Sequence, residues 1–382
     1  MTRENISAIV RVRCFSGWLY RFPFDVLRLV VNCGRRTKST MGRNYFGQLA
    51  DMVRLAARSN ILPQEYYEYG LARFKGSAEL GTFISHEIYY CAACLCIAGR
   101  EKRRQDNWSY TSKAAFELHC RNLGLPSVCA VVLVERNRLA DISGASFEGQ
   151  FPSDNVFIKP DDGMQGNNVM RFEHVGQDLY RDKTGVKLST AGIIKRVKSL
   201  SKESGKSHLV QREMRNSQII LQLAGSALAT ARVITLENER GEAEIVYVCF
   251  RTAGDSDSVI DNYHANGVAF PIDLKTGELS AGRRLNFCEY PQFYSDHPIT
   301  GARMEGTRLP DWDAAKKLAI QLHESVPDIL LAGWDIAFTE NGPSAVEVNI
   351  PPGLPVVQMN NGFLATRYSE LLAYHVQHCP GA

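Results

Sequence analysis

The segment GWDIAFTENGPSAVEVNIPPG, residues 333–353, constrains this chain more than any other. LLAGWDIAFT and SAVEVNI are runs of β-forming residues separated by Glu340, Asn341, Gly342 and Pro343, all turn formers, so an antiparallel hairpin is predicted. Glu347 and Asn349 stand two apart and leave one face of their strand, and the hairpin brings Asp335 opposite them. Three oxygen donors, two of them anionic, converge. Charge without compensation is costly among Trp334, Ile336, Ala337, Val346 and Val348. Such oxygen donors suit Mg²⁺, which keeps several waters and is completed by nucleotide phosphates. Asp335, Glu347 and Asn349 are therefore candidate metal ligands, and an outward acidic strand face is the structural alternative.

A second segment, VFIKPDDGMQGNNV, places Lys159 at the end of an apolar strand and directly before a loop with Gly163 and Gly166. A glycine loop lets backbone N–H groups approach phosphate oxygens, and a lysine adds a positive point charge. The pattern G-x-x-x-x-G-K-[ST] is absent, so this is not a Walker A loop. Nor does the chain hold a dinucleotide fingerprint, a Ser-His-Asp order or a catalytic cysteine motif.

The surrounding sequence alternates between two textures. Residues 1 to 105 have helical spacing: in NYFGQLADMVRLAARSNILPQEYYEYGL apolar residues recur at intervals of three and four, and Pro63 marks a helix start. Residues 106–155 read as a helix from Ser112 to Leu123 followed by the strand CAVVLVE. Residues 156–382 mix short strands with helices: LVQREM, the pair ALATARVITL and AEIVYVCFRTA, and GVAFPIDL before a Lys275-Thr276-Gly277 turn. DWDAAKKLAIQLHESV is an amphipathic helix with Asp311 or Asp313 as N-cap, and a helix from about Phe363 closes the chain. The class is α+β.

Charge excludes some functions. The 44 basic and 41 acidic residues leave +3, not the single-sign field of a nucleic-acid binder. Residues 1 to 60 nevertheless carry eleven basic side chains against three acidic ones. That basic, aromatic-dotted stretch offers contact to an anionic membrane, a phosphorylated substrate or a partner such as a glycosyltransferase, or is a solvated helix face. Arg11, Arg13 and Arg21 interrupt any signal-peptide core, and Ile88 to Gly99 and Ser217 to Ala231 fall short of the ~20 apolar residues of a membrane span. A cytoplasmic setting with reduced thiols is expected for the ten cysteines. Cys91, Cys94 and Cys96 read as small core residues of an apolar helix rather than zinc ligands.

VFIKP with GMQG, then LVQREM, TARVITL, and GWDIAF with VEVNIPPG, in that order, resemble the ATP-grasp superfamily. LPQEYYEYGL, DNYHANGVAFPIDLKTGEL and HPITGARMEGTRLPDW are similar to its sugar-transfer-associated family, related to α-L-glutamate ligases. The similarity spans about residue 40 to the C-terminus. It implies two α+β subdomains gripping ATP between antiparallel sheets, with ATP and one or two Mg²⁺ ions bound. Lys113, in TSKAAFELHCRNLGLP, matches the first phosphate-binding lysine and Lys159 the second. Gly163, Gln165 and Gly166 match the mobile phosphate loop. Gln211, Glu213 and Met214 match the adenine and ribose hinge, and Asp335, Glu347 and Asn349 the Mg²⁺ ligands. Arg232, Arg251, Asn262 and His264 are candidates for the reacting end, with a strand-face salt bridge as the structural alternative for the arginines. His297 matches a family position of unassigned role. The chain departs from many relatives at Gly333, where they carry arginine, and at Asn167 and Asn168, where they carry glycine.

The resemblance implies a ligase that activates a carboxylate as an acyl phosphate and joins it to an amine or hydroxyl acceptor, in cell-surface polysaccharide or secondary-metabolite assembly. The expected partners are small molecules, with a homodimer as an option. Two rivals remain: a small-molecule kinase of the same fold, and a non-catalytic ATP-binding partner of a glycosyltransferase.

Overall fold

The computed structural model describes residues 24–74, 76–101, 112–162, 169–255, 267–284 and 293–379. Two seven-stranded sheets organise them. The first is built from β1 (Ala130–Glu135), β2 (Arg138–Ala140), β3 (Val156–Pro160), β4 (Met170–Gly176), β5 (Leu179–Asp182), β6 (Lys187–Ser189) and β7 (His208–Arg212). Its strand order is β2-β1-β7-β3-β4-β5-β6, and every pairing is antiparallel. Residues 130–140, from the expected 106–155 unit, thus share one sheet with 156–212.

The second sheet comprises β8 (Thr230–Glu237), β9 (Ala243–Thr252), β10 (Val268–Pro271), β11 (Gly282–Arg284), β12 (Phe293–Tyr294), β13 (Leu331–Thr339) and β14 (Gly342–Asn349). Its order is β12-β11-β10-β9-β8-β13-β14, again antiparallel. Alternation along the strands gives it two different faces. Ala231, Val233, Val248, Phe250, Trp334 and Ile336 face the helix Trp312–Ser325, whose Ala315, Leu318, Ala319 and Leu322 fall on one stripe. Asp311 precedes this helix with φ 50° and makes no side-chain cap, so the expected Asp cap is not formed.

The opposite face is divided along its length. At one end Ile234, Leu236 and Leu331 are covered by the helices His86–Glu101 and Arg367–His378. Cys96 packs there, while Cys91 and Cys94 lie half-buried on the same helix. At the other end the same face carries Thr230, Arg232, Arg251 and Asp335, residues that register places side by side.

The helix Lys113–Asn122 joins the two sheets. Its Ala114 packs with Leu133 and Leu209 of the first sheet, and its Phe116 stacks on Trp334 of the second at 6.2 Å between centroids. Ala345 of β14 receives a hydrogen bond from Val128 N at 3.1 Å and gives one to Pro126 O at 2.9 Å.

The N-terminal helical unit is tied to the second sheet by Arg283, only 2% exposed. Its guanidinium donates to the carbonyls of Tyr69 at 3.3 Å, Met359 at 2.9 Å, and Glu68. Gln358 adds a paired bond to Ile84 N and O, both at 3.0 Å.

Candidate active site

The site grows from the divided face of the second sheet. Asp335 of β13 lies opposite Glu347 of β14 on one side and Arg232 of β8 on the other. Directly opposed residues of an antiparallel pair share a face, so three side chains from three strands meet. Arg232 holds Asp335 through both ends of its fork: Nε donates to Oδ1, and Nη2 to Oδ2 at 3.0 Å. Arg251 of β9 adds a second guanidinium, with Nη2 2.8 Å from Asp335 Oδ2 and 2.8 Å from Thr230 Oγ1. Asn349 Nδ2 donates to Asp335 Oδ2 and Glu347 Oε1, each at 3.4 Å.

Gly333 explains how Arg232 reaches its place. A Cβ at 333 would stand 2.8 Å from Pro352 Cβ and 3.1 Å from Arg232 Cδ. Pro352 and the stem of Arg232 together occupy the space that a side chain here would fill, which leaves position 333 to glycine.

Two lysines approach from the first sheet and the joining helix. Lys159 sits in β3, 9% exposed, on the face it shares with Leu209. Lys113 opens its helix, and Asp161, immediately after β3, locks that helix end: Asp161 Oδ1 accepts from Ala114 N at 2.7 Å, and its carbonyl accepts from Lys113 N and Nζ, both at 3.2 Å. Ser112 Oγ completes the cap by accepting from Ala115 N at 3.0 Å. Asp161, which the sequence reading passed over as a loop residue, therefore sets where Lys113 points.

Electrostatics couple these groups. Burial alone would raise Asp335, but the charges of Arg232 and Arg251 outweigh it and hold the carboxyl at about 2. Glu347 moves the other way: burial and then the neighbouring Asp335 charge raise it, against the pull of Lys159. Burial lowers Lys159 to about 8 and also lowers Lys113, while Glu347 opposes both shifts. Glu347 thus lies within electrostatic reach of Asp335 and both lysines, and Asn349 joins it through its hydrogen bonds to Asp335 and Glu347.

The chain matches the model of sugar-transfer associated ATP-grasp proteins over residues 113–370. It belongs to that family. The two antiparallel sheets with their helices are its ATP-grasp fold. None of the curated proteins matches the chain. Among solved structures it is similar to D-alanyl-alanine synthetase A from Vibrio cholerae, at 15% identity over 71% of this chain and 65% of that one, with a TM-score of 0.40. It is similar to L-amino acid ligase from Bacillus licheniformis, at 10% identity over 70% and 48%, TM-score 0.39. For D-alanine-D-alanine ligase from Helicobacter pylori the values are 12%, 72%, 59% and 0.39. The chain spans less than two thirds of the length of each of these proteins.

Within the ATP-grasp fold the other expected residues fall as follows. Gln211 of β7 is buried on the face it shares with Lys159, and its Oε1 has no hydrogen-bond partner among the described residues. Glu213 is engaged by Arg171 Nε and Asn155 Nδ2, both at 2.6 Å, which keep its carboxyl ionised despite burial. Met214 follows, half-buried. Arg232 and Arg251 do lie on adjacent strands, but here their charge is matched by Asp335: the salt-bridge alternative describes their contacts. His297 is 1% exposed, burial lowers it to about 4, and Thr300 contacts its Nδ1 at 3.2 Å. Burial thus disfavours its charged form. Gly163, Gln165, Gly166, Asn262 and His264 lie outside the described residues.

The donor set fits a magnesium nucleotide. No group of three His, Cys, Asp or Glu among the described residues could hold a metal. Mg²⁺ ordinarily takes one or two carboxylates and completes its shell with water and substrate phosphates, which two carboxylates, an amide and two flanking lysines provide for. Gln211 Oε1, a buried acceptor awaiting a donor, fits an exocyclic amino group on the base.

Proposed function

We propose that the chain is an ATP-dependent carboxylate–amine ligase that releases ADP and phosphate. The observation that carries this reading is the convergence of Asp335, Glu347 and Asn349 with Lys113 and Lys159 between the two sheets. A carboxylate is a poor electrophile until one oxygen carries a phosphate leaving group. The expected course is transfer of the γ-phosphoryl of substrate ATP to the carboxylate, attack by the amine on the acyl carbon, and loss of phosphate as the amide forms.

The protein's contribution is placement and charge. Lys113 and Lys159 offset the repulsion between triphosphate and carboxylate. Asp335, Glu347 and Asn349 would hold Mg²⁺, which when bound supplies Lewis-acid neutralisation of phosphate oxygens. Arg232 and Arg251 fix the position of Asp335.

The family description and the resemblance in sequence support a sugar acid and an amino acid as substrates, in polysaccharide or secondary-metabolite assembly. An ADP-release screen over amino acids and uronic acids, with mass measurement of the product, tests this. In the presence of hydroxylamine the ligase yields a hydroxamate with stoichiometric ADP. A phosphorylated hydroxyl product would establish a kinase instead, and ATP binding without turnover on any pair would establish a non-catalytic module.

A further inference from the structure

The two helices that open the described chain bury one face and expose another that is equally apolar. In the helical residues 24–41, Leu29, Cys33 and Thr37 point inward. Phe24, Leu27 and Val31 point outward and are 76%, 71% and 73% exposed. In Tyr45–Ser59, Gln48, Asp51, Met52, Leu55 and Ala56 are buried, while Phe46, Leu49 and Val53 are 85%, 39% and 46% exposed. Each outward trio has the spacing three then four, which aligns it in one stripe along its helix. The helices touch, since Gln48 Nε2 donates to Gly34 O at 3.0 Å.

Single exposed apolar residues are ordinary, but two neighbouring stripes on helices already anchored by their other faces call for a second burying surface. The charge around them says which kind. Residues 24–59 carry seven basic side chains and two acidic ones. Both acids are already paired within the protein, Asp25 with Arg28 at 3.4 Å and Asp51 with Arg43 at 2.6 Å. Arg28, Arg35 and Lys38 flank the first stripe, and Arg54 lies on the same helix as the second. A protein interface would ordinarily present both signs at its rim, whereas this rim presents one.

We propose that this surface docks on an anionic lipid bilayer. The stripes enter the boundary between headgroups and acyl chains, and the arginines and lysine meet lipid phosphates. No helix among the described residues is long and apolar enough to cross a membrane, so the contact is a surface one. The two helices lie outside residues 113–370, and the ligase reading does not depend on them.

The test is co-sedimentation of the full chain with phosphatidylcholine vesicles made with and without phosphatidylglycerol. Binding to the anionic vesicles, weak binding to phosphatidylcholine alone and loss of binding at high salt are expected. Phe24→Ser with Phe46→Ser weakens partition by about tenfold or more. Arg35→Gln with Lys38→Gln weakens it by about twenty-fivefold, because each cation at an anionic surface contributes about fivefold. All four side chains are exposed, so the melting temperature stays at the wild-type value and binding loss is not misfolding. Failure to bind anionic vesicles overturns the proposal, as does equal binding by the wild type and both variants. A lipid-free dimer that the serine pair dissociates would assign the surface to a second copy of the chain and overturn it as well.

Discussion

The second sheet and the N-terminal helical unit both bury carboxyl groups, and they do so by different means. On the sheet, Asp335 is 1% exposed and is met by two guanidiniums, which keep it ionised. In the helical unit, Glu65 is 5% exposed and is met by the backbone N–H groups of Leu62 and His86 at 2.7 and 2.6 Å. Burial there outweighs those hydrogen bonds and raises Glu65 to about 7. Its neighbour Glu68 is raised to about 8 by burial and by Glu65, against the pull of Arg283. Cations thus hold one carboxylate charged on the sheet face proposed to meet a metal and phosphates, while amides hold the other where a helix end needs closing.

Removing the anion on the sheet is the harshest way to test that contrast. Asp335→Ala leaves two buried guanidiniums without their counter-charge and is expected to cost about 3–5 kcal/mol in denaturant unfolding, together with all turnover. Glu347→Gln separates chemistry from stability. It preserves shape and removes a charge that burial already disfavours, so the melting temperature holds while ADP release falls by more than the ~100-fold typical of an outer partner of a metal site. Gly333→Ala pushes against Pro352 and Arg232, and unfolding should register about 1–3 kcal/mol of overpacking.

A pH dependence is expected from the helical unit. Glu65 and Glu68 have folded values above the ordinary 4.5, so the folded chain binds more protons between that value and about 7 to 8. Their contribution to stability is full below pH 4.5 and is lost as pH rises through about 7 and 8, at up to about 1.4 kcal/mol per pH unit for each group. Glu65→Gln should flatten the acid-to-neutral slope of the unfolding midpoint. An unchanged slope would show that amides hold this carboxyl ionised after all.

The hairpin was legible because period-two alternation and turn formers are local signals. Asp335 does face Glu347, although Gly342 and Pro343 join β14 rather than the turn, and the pairing is irregular between Asp335 and Ile336. The identities of Arg232 and Arg251 were legible too, but not their partner. Arg232 and Asp335 are 103 residues apart, and only the order β9-β8-β13 brings them together. Asp161 was hidden for the same reason, since its work is done on a helix 47 residues earlier. The glycine at 333 read as a departure from the family, and its neighbours there, Pro352 and the stem of Arg232, come from distant parts of the sequence.

Arg283 bears on how the chain can be divided. Two of the three carbonyls it reads, those of Glu68 and Tyr69, come from ahead of residue 113, where the family match begins. A fragment cut at that boundary would leave a cation in the interior without the carbonyls of Glu68 and Tyr69. The part of the chain that matches the family is therefore not portable on its own: the leading helices complete it from within.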